Sequence, residues 1–189
     1  MKAAFILFDG MTALDFIGFY DPVTRLKSMR IMPDFEWRLC SATRRVADDR
    51  GLRLGPDVAN EPLDSYDLLF VPGGFATREL QHDAAFIGWL KSAAPAPLKV
   101  SVCTGALLLG AAGFLNGRRA TTHPSAYKEL APYCRTVVSE RVVDEGDVIT
   151  AGGVSAAIDL GLHLVQRLAG TEARERVARQ MDYPYRPKA

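Results

Sequence analysis

Several common sources of stability and function are missing from this sequence. It has only three cysteines, Cys40, Cys103 and Cys134, an odd number with no pair at zinc-knuckle or redox-dithiol spacing. A disulfide scaffold and a thiolate metal site are therefore excluded, and a reducing compartment is expected. Histidine is equally scarce, with His82, His123 and His163 far apart, so no metal cluster is expected. Charge of either sign is not in excess: 23 Lys plus Arg against 22 Asp plus Glu give a formal net charge of +1. Nothing in that balance calls for a nucleic acid or another polyanion as partner. No apolar run approaches membrane length, and the opening segment, Met1 to Phe8, stops at Asp9-Gly10 without a signal-cleavage pattern. The expectation is a cytoplasmic protein. Neither Gly73-Gly74 nor Gly152-Gly153 has the spacing of a nucleotide-binding fingerprint, and no cofactor is expected.

What is present is ordinary for a folded domain. With 189 residues, 48% apolar and 24% charged, the chain can bury a core and has the length of one domain spanning 1–189. Short β-rich runs alternate with helical patterns, which predicts an α/β fold with a mostly parallel, flavodoxin-like sheet sandwiched by helices. Strands are expected at Ala3 to Phe8, Phe35 to Ser41, Tyr66 to Val71 and Lys99 to Val102, and a small hairpin with loops within Thr43 to Pro62. Helices are expected from about Ala13 to Met29, with a bend from Gly18 and Pro22, and from Asp83 to Ala94. A helix after Cys103 should stop at Asn116-Gly117, and Ser125 to Leu130 reads as a short helix. Arg141 to Asp144 and Val148 to Thr150 read as a hairpin. A long helix to about Leu168, with Ser155 as N-cap, and a last one from Glu172 to Met181 precede a Tyr-Pro-Tyr-Arg-Pro tail.

Cys103 carries the strongest chemical signal. An apolar strand gives way at once to a small-residue helix, with Gly105 two residues on, as in a nucleophile elbow. The first N–H groups of that helix would lower the thiol pKa and face a developing oxyanion. The competing reading is a buried core cysteine at a strand end. Pro72-Gly73-Gly74 ends a neighbouring strand and lets backbone approach a ligand, or is only a tight turn. Thr12 and Asp15 have the spacing of a capping box, yet Asp15 also follows the first strand, on the ligand-binding edge of an open sheet, where it could share a proton with Cys103. His123 is either a base for Cys103 or a loop hydrogen-bonder. Cys40 and Cys134 read as packing, and Arg44-Arg45 and Arg118-Arg119 as solvated turn charges.

Pro72-Gly73-Gly74, Val100 to Gly105, Ala120-Thr121-Thr122-His123 and Ala151 to Asp159 resemble, in order and spacing, the ThiJ/PfpI superfamily of class I glutamine amidotransferase-like folds. Leu14-Asp15-Phe16-Ile17-Gly18 and Thr104 look most like its isonitrile hydratases and the amidase-like domains of certain transcription regulators. The resemblance implies Cys103 as nucleophile, Asp15 as acidic partner, Gly74 and Thr104 as backbone oxyanion donors, and Val154 as a pocket residue. Gly73, His123 and Phe19 fall beside them; the subgroup usually has proline where this chain has Phe19 and tryptophan where it has Pro124. The implied activity is hydration of an isocyanide to an N-substituted formamide by a homodimer acting on a small molecule. A glyoxalase- or deglycase-like enzyme on reactive carbonyls and a redox sensor using Cys103 are the alternatives.

Overall fold

A computed structural model describes residues 1–184. In chain order the elements are β1 (Lys2–Leu7), α1 (Ala13–Ser28), β2 (Glu36–Ser41), β3 (Val46–Ala47), β4 (Arg53–Leu54), β5 (Val58–Ala59), β6 (Leu68–Val71), α2 (Thr77–Leu80), α3 (Ala84–Lys91), β7 (Leu98–Val102), α4 (Gly105–Ala111), β8 (Arg119–Ala120), α5 (Tyr127–Leu130), β9 (Thr136–Val137), β10 (Val142–Asp144), β11 (Val148–Ala151) and α6 (Ala156–Gln180). Seven strands form the main sheet in the order β10-β11-β7-β6-β1-β2-β5, all parallel except β10 against β11. Helices cover both faces of the sheet, so β6 is wholly apolar, β1 is apolar after Lys2, and β7 is buried throughout even at Lys99 and Ser101.

From β1 the chain moves outward to β2 and later returns on the other side as β6. That reversal opens a crevice beyond the carboxyl ends of β1 and β6, the usual ligand position in an open α/β sheet. Beneath it, Phe19 stacks on Phe70 with ring centroids 3.8 Å apart, and Phe5 meets both edge-on. Helices α1 and α6 pack closely because small residues meet at the contact. A Cβ on Gly18 would come 2.9 Å from the Ala157 Cβ, and one on Gly161 would collide with the Pro22 ring.

Local chemistry departs from the expectations at several points. Helix α1 runs through Pro22 as one helix, its proline ring housed against Gly161. Helix α4 ends earlier than Asn116-Gly117: Gly113 adopts φ 86° and donates to the Gly110 carbonyl at 2.8 Å, while the Phe114 N–H reaches Leu109 O. Ser155 precedes α6 but makes no capping bond, since its hydroxyl faces Arg141. The expected hairpin within Thr43 to Pro62 is β3 with β4, and Val58–Ala59 beyond it joins the main sheet as an edge strand. Gly170, at φ 86° and ψ 172°, breaks α6 where two helices were expected. Arg118 and Arg119 pair with Asp147 and Glu140. The last residues of the Tyr-Pro-Tyr-Arg-Pro tail lie outside the described residues. Among those residues no helix is long and apolar enough to cross a membrane.

Candidate active site

Three loops meet at the crevice, each following a central strand. Cys103 joins β7 to α4 in the left-handed region, with φ 54°, a conformation that costs a non-glycine residue about 1–2 kcal/mol. Neighbouring groups hold it there. Its N–H donates to Ala151 O at 3.0 Å and Gly152 O at 2.8 Å, and the Thr122 hydroxyl donates to its carbonyl at 2.7 Å. Gly105 must lack a side chain, because a Cβ would run into the Val71 and Pro72 carbonyls at the end of β6. The helix can therefore start directly under the cysteine.

Asp15 arrives from the first turn of α1. Thr12 stands at the N-cap without a side-chain capping bond, so the capping-box reading fails; the Asp15 carboxyl turns inward instead. It is wholly buried, accepts the Gly73 N–H on Oδ2 at 3.0 Å, and leaves Oδ1 without a hydrogen-bond partner among the described residues. The Cys103 thiol is the polar group beside it.

Gly73 is the spacer between these groups. A Cβ there would stand 2.7 Å from Asp15 Oδ2, 2.7 Å from the Thr104 nitrogen and 2.8 Å from the Cys103 Cβ. Its carbonyl accepts the Thr12 N–H at 2.9 Å, tying the turn after β6 to the start of α1. Gly74, at φ 148°, donates its N–H to the Thr104 hydroxyl at 3.0 Å, and that hydroxyl lies equally close to the Gly74 carbonyl. The Gly74 N–H is thus engaged, and Thr104 faces the sulfur with both its N–H and its hydroxyl.

Burial in an apolar surround pushes the Asp15 carboxyl up from 3.8 to about 7, against the pull of the Cys103 and Gly73 hydrogen bonds. The same burial, together with the charge of Asp15, pushes the Cys103 thiol up to about 12. This corrects the expectation of a lowered thiol pKa: the Thr104 N–H does pull downward, but it is outweighed by desolvation and the neighbouring carboxylate. The resting pair between these two values holds one proton, shared between sulfur and carboxyl.

At the sulfur lies a cavity of about 240 Å³ lined by Cys103, Thr104, Gly74, His123, Val154, Thr12, Leu14, Asp49, Arg50, Phe75, Arg78 and Ser125. Its size suits a small molecule. His123 accepts the Ser125 N–H on Nδ1 at 3.2 Å and so caps a short 3-10 turn, with its ring against Gly153. Phe19, expected at the pocket, is instead a core ring on Phe70 and does not line the cavity; Gly73 lies behind Cys103 rather than in the wall. Arg50, Phe75 and Arg78 were not singled out by sequence, where lone residues in polar loops carry no periodic signal. Among the described residues no group of three His, Cys, Asp or Glu side chains could hold a metal ion.

The site thus combines an open α/β sheet with a left-handed cysteine turn, a buried acid and a glycine spacer at the switch point. Residues 1–167 match the DJ-1/PfpI family, and the chain belongs to it. It is 36% identical over 189 residues to the isonitrile hydratase of Pseudomonas putida, covering 99% of this chain and 80% of that protein. It is 31% identical over 181 residues to the HTH-type transcriptional regulator CdhR of Pseudomonas aeruginosa, covering 93% of this chain but only 53% of the regulator. Among solved structures, a ThiJ/PfpI family protein from Pseudomonas syringae superposes with a TM-score of 0.88 at 30% identity, over 100% of this chain and 77% of that one. Drosophila melanogaster DJ-1beta shares the fold, with a TM-score of 0.83 at 23% identity over 97% of this chain and 98% of its own.

Proposed function

We propose that this protein is a cysteine-dependent hydratase that converts an isocyanide and water to an N-substituted formamide. The observation that carries the reading is the Cys103 and Asp15 pair around Gly73: a nucleophile and an acid buried together with one proton between them. As the sulfur attacks the terminal isocyanide carbon, Asp15 takes the thiol proton and delivers it to that carbon, giving a thioimidate, Cys103–S–CH=N–R. Water then adds to the CH carbon, its proton passing through Asp15 to nitrogen, and the C–S bond breaks to release R–NH–CHO and restore the pair. The Thr104 N–H steadies the sulfur as its charge develops. The identity to the Pseudomonas putida isonitrile hydratase supports the substrate class.

In the same reading the chain acts as one domain, as a homodimer in the cytoplasm, on a small molecule and without a cofactor. A thiol held up near 12 is mostly un-ionised at rest, which favours catalysis with an internal base over a redox sensor that depends on a resting thiolate. The test is a panel of an aryl isocyanide, methylglyoxal and a simple amide, offered to the wild type and to Cys103→Ala. Formamide from the isocyanide by the wild type alone is expected. Lactate from methylglyoxal, with the isocyanide untouched, would move the assignment to the glyoxalase-like class.

A further inference from the structure

The cavity mouth carries groups that the thioimidate chemistry does not use. Arg78, on α2 just after the Gly74 turn, is the most informative. Both Glu129 oxygens approach its Nε, at 3.2 and 3.0 Å, and its guanidinium lies over the Phe75 ring, 5.9 Å from the centroid. Those contacts fix the guanidinium plane but use only one edge of it. Nη1 and Nη2 donate to nothing among the described residues, although Arg78 lines the cavity. A guanidinium with one edge satisfied presents a preset fork for a second carboxylate.

A second guanidinium lines the same cavity. Arg50 has a side chain 75% exposed and no closer acid than Asp49, at 3.9 Å. Its loop is fixed: Asp48 Oδ1 accepts the N–H groups of Arg50 and Leu52 at 2.9 and 2.7 Å. Asp49 also lines the cavity, where the Thr12 hydroxyl approaches its carboxylate at 3.4 Å, so each cation has one acid near it, Glu129 on the Nε of Arg78 and Asp49 beside Arg50. Between the charges the surface is apolar. Phe75 is 76% exposed and Leu14 49%, large side chains grouped at a cavity rather than scattered.

We infer that the site takes an isocyanide with an apolar body and a carboxylate at its far end. The body rests on Phe75 and Leu14, the carboxylate docks on the Nη edge of Arg78, and Arg50 adds the second positive charge. The reacting end rests on the hydratase reading above; the anion end rests on the rim alone.

The experiment compares para-isocyanobenzoate with its methyl ester by kcat/KM at low and high salt. The wild type should prefer the acid about tenfold, as expected for one charge-assisted hydrogen-bonded pair at a half-buried site, with the preference shrinking in high salt. Arg78→Gln should bring the ratio of the two substrates close to one, and Arg50→Gln, at an exposed position that does not endanger the fold, should lower it in part. Hydration of the ester as fast as the acid by the wild type, or a ratio unmoved by Arg78→Gln, overturns the inference and leaves the hydratase reading standing. If neither isocyanide is hydrated, the hydratase reading fails, and calorimetric titration with para-formamidobenzoate against the uncharged para-formamidotoluene decides the anion site. Tighter binding of the acid that is lost in Arg78→Gln supports it; equal binding overturns it.

Discussion

Replacing Asp15 by Asn is expected to stabilise the fold while abolishing turnover. The carboxyl is fully buried, with one oxygen on the Gly73 N–H, the other without a partner of good geometry, and the Cys103 thiol beside it. It titrates near 7 in the folded protein against 3.8 as its ordinary value, so folding raises its proton affinity. The stability that a protonated Asp15 contributes is present in full below pH 3.8 and is lost as pH rises through about 7. At about 1.4 kcal/mol per pH unit of that difference, the charged carboxylate costs the fold about 4 kcal/mol at pH 8. An Asn amide oxygen can accept the same Gly73 N–H, and its NH2 replaces the other oxygen without any charge. The gain of the variant over wild type should therefore grow between pH 4 and pH 8, and by thermal unfolding should reach about 8–16 °C in Tm, at the 2–4 °C per kcal/mol usual for a chain of this size. Activity should fall by about 10²–10⁴ with loss of the proton carrier. A stability difference that is flat with pH, or an Asn variant less stable than wild type at pH 8, would refute the buried-charge argument.

Other outcomes follow from the same geometry. Because the reactive pair holds one proton, kcat/KM should rise with pH through an apparent pKa of about 7 with unit slope and then stay level, which a stopped pH series measures. Gly73→Ala puts a methyl within 2.8 Å of three site atoms, so it should cost about 1–3 kcal/mol in denaturant unfolding and about a hundredfold or more in kcat. Thr122→Val removes the hydroxyl on the Cys103 carbonyl; unfolding should show a loss of about 1–3 kcal/mol, and kcat should drop while KM changes less, because the elbow and not the pocket is loosened.

Much of this architecture is visible in the sequence because it depends on local signals. Strands β1 and β6 are largely apolar runs ended by turn residues, and Gly105 after Cys103 marks the abrupt passage from β7 to α4, where Cys103 takes φ 54°. Gly73 is visible as a glycine, but its reason, three atoms within 2.8 Å from α1 and from the Cys103-Thr104 turn, exists only once these segments converge. Phe19 lies one helical turn beyond Asp15 on the same buried face of α1, and that one turn carries it past the cavity and onto Phe70 in the core. The thiol pKa likewise depends on more than its local sequence. The helix N-terminus is written locally, whereas the burial and the Asp15 charge that outweigh it come from tertiary packing. Arg50, in a loop, and Arg78, on the short helix α2, look like solvated charges until the cavity gathers them.

Hydration of an aryl isocyanide, with formamide followed by NMR, tests the central claim most directly when wild type and Cys103→Ala are compared under conditions where both show the same thermal unfolding. Formamide formation by the wild type that falls to the uncatalysed background in Cys103→Ala is the predicted result. Equal formamide production by the two proteins would contradict a covalent role for Cys103.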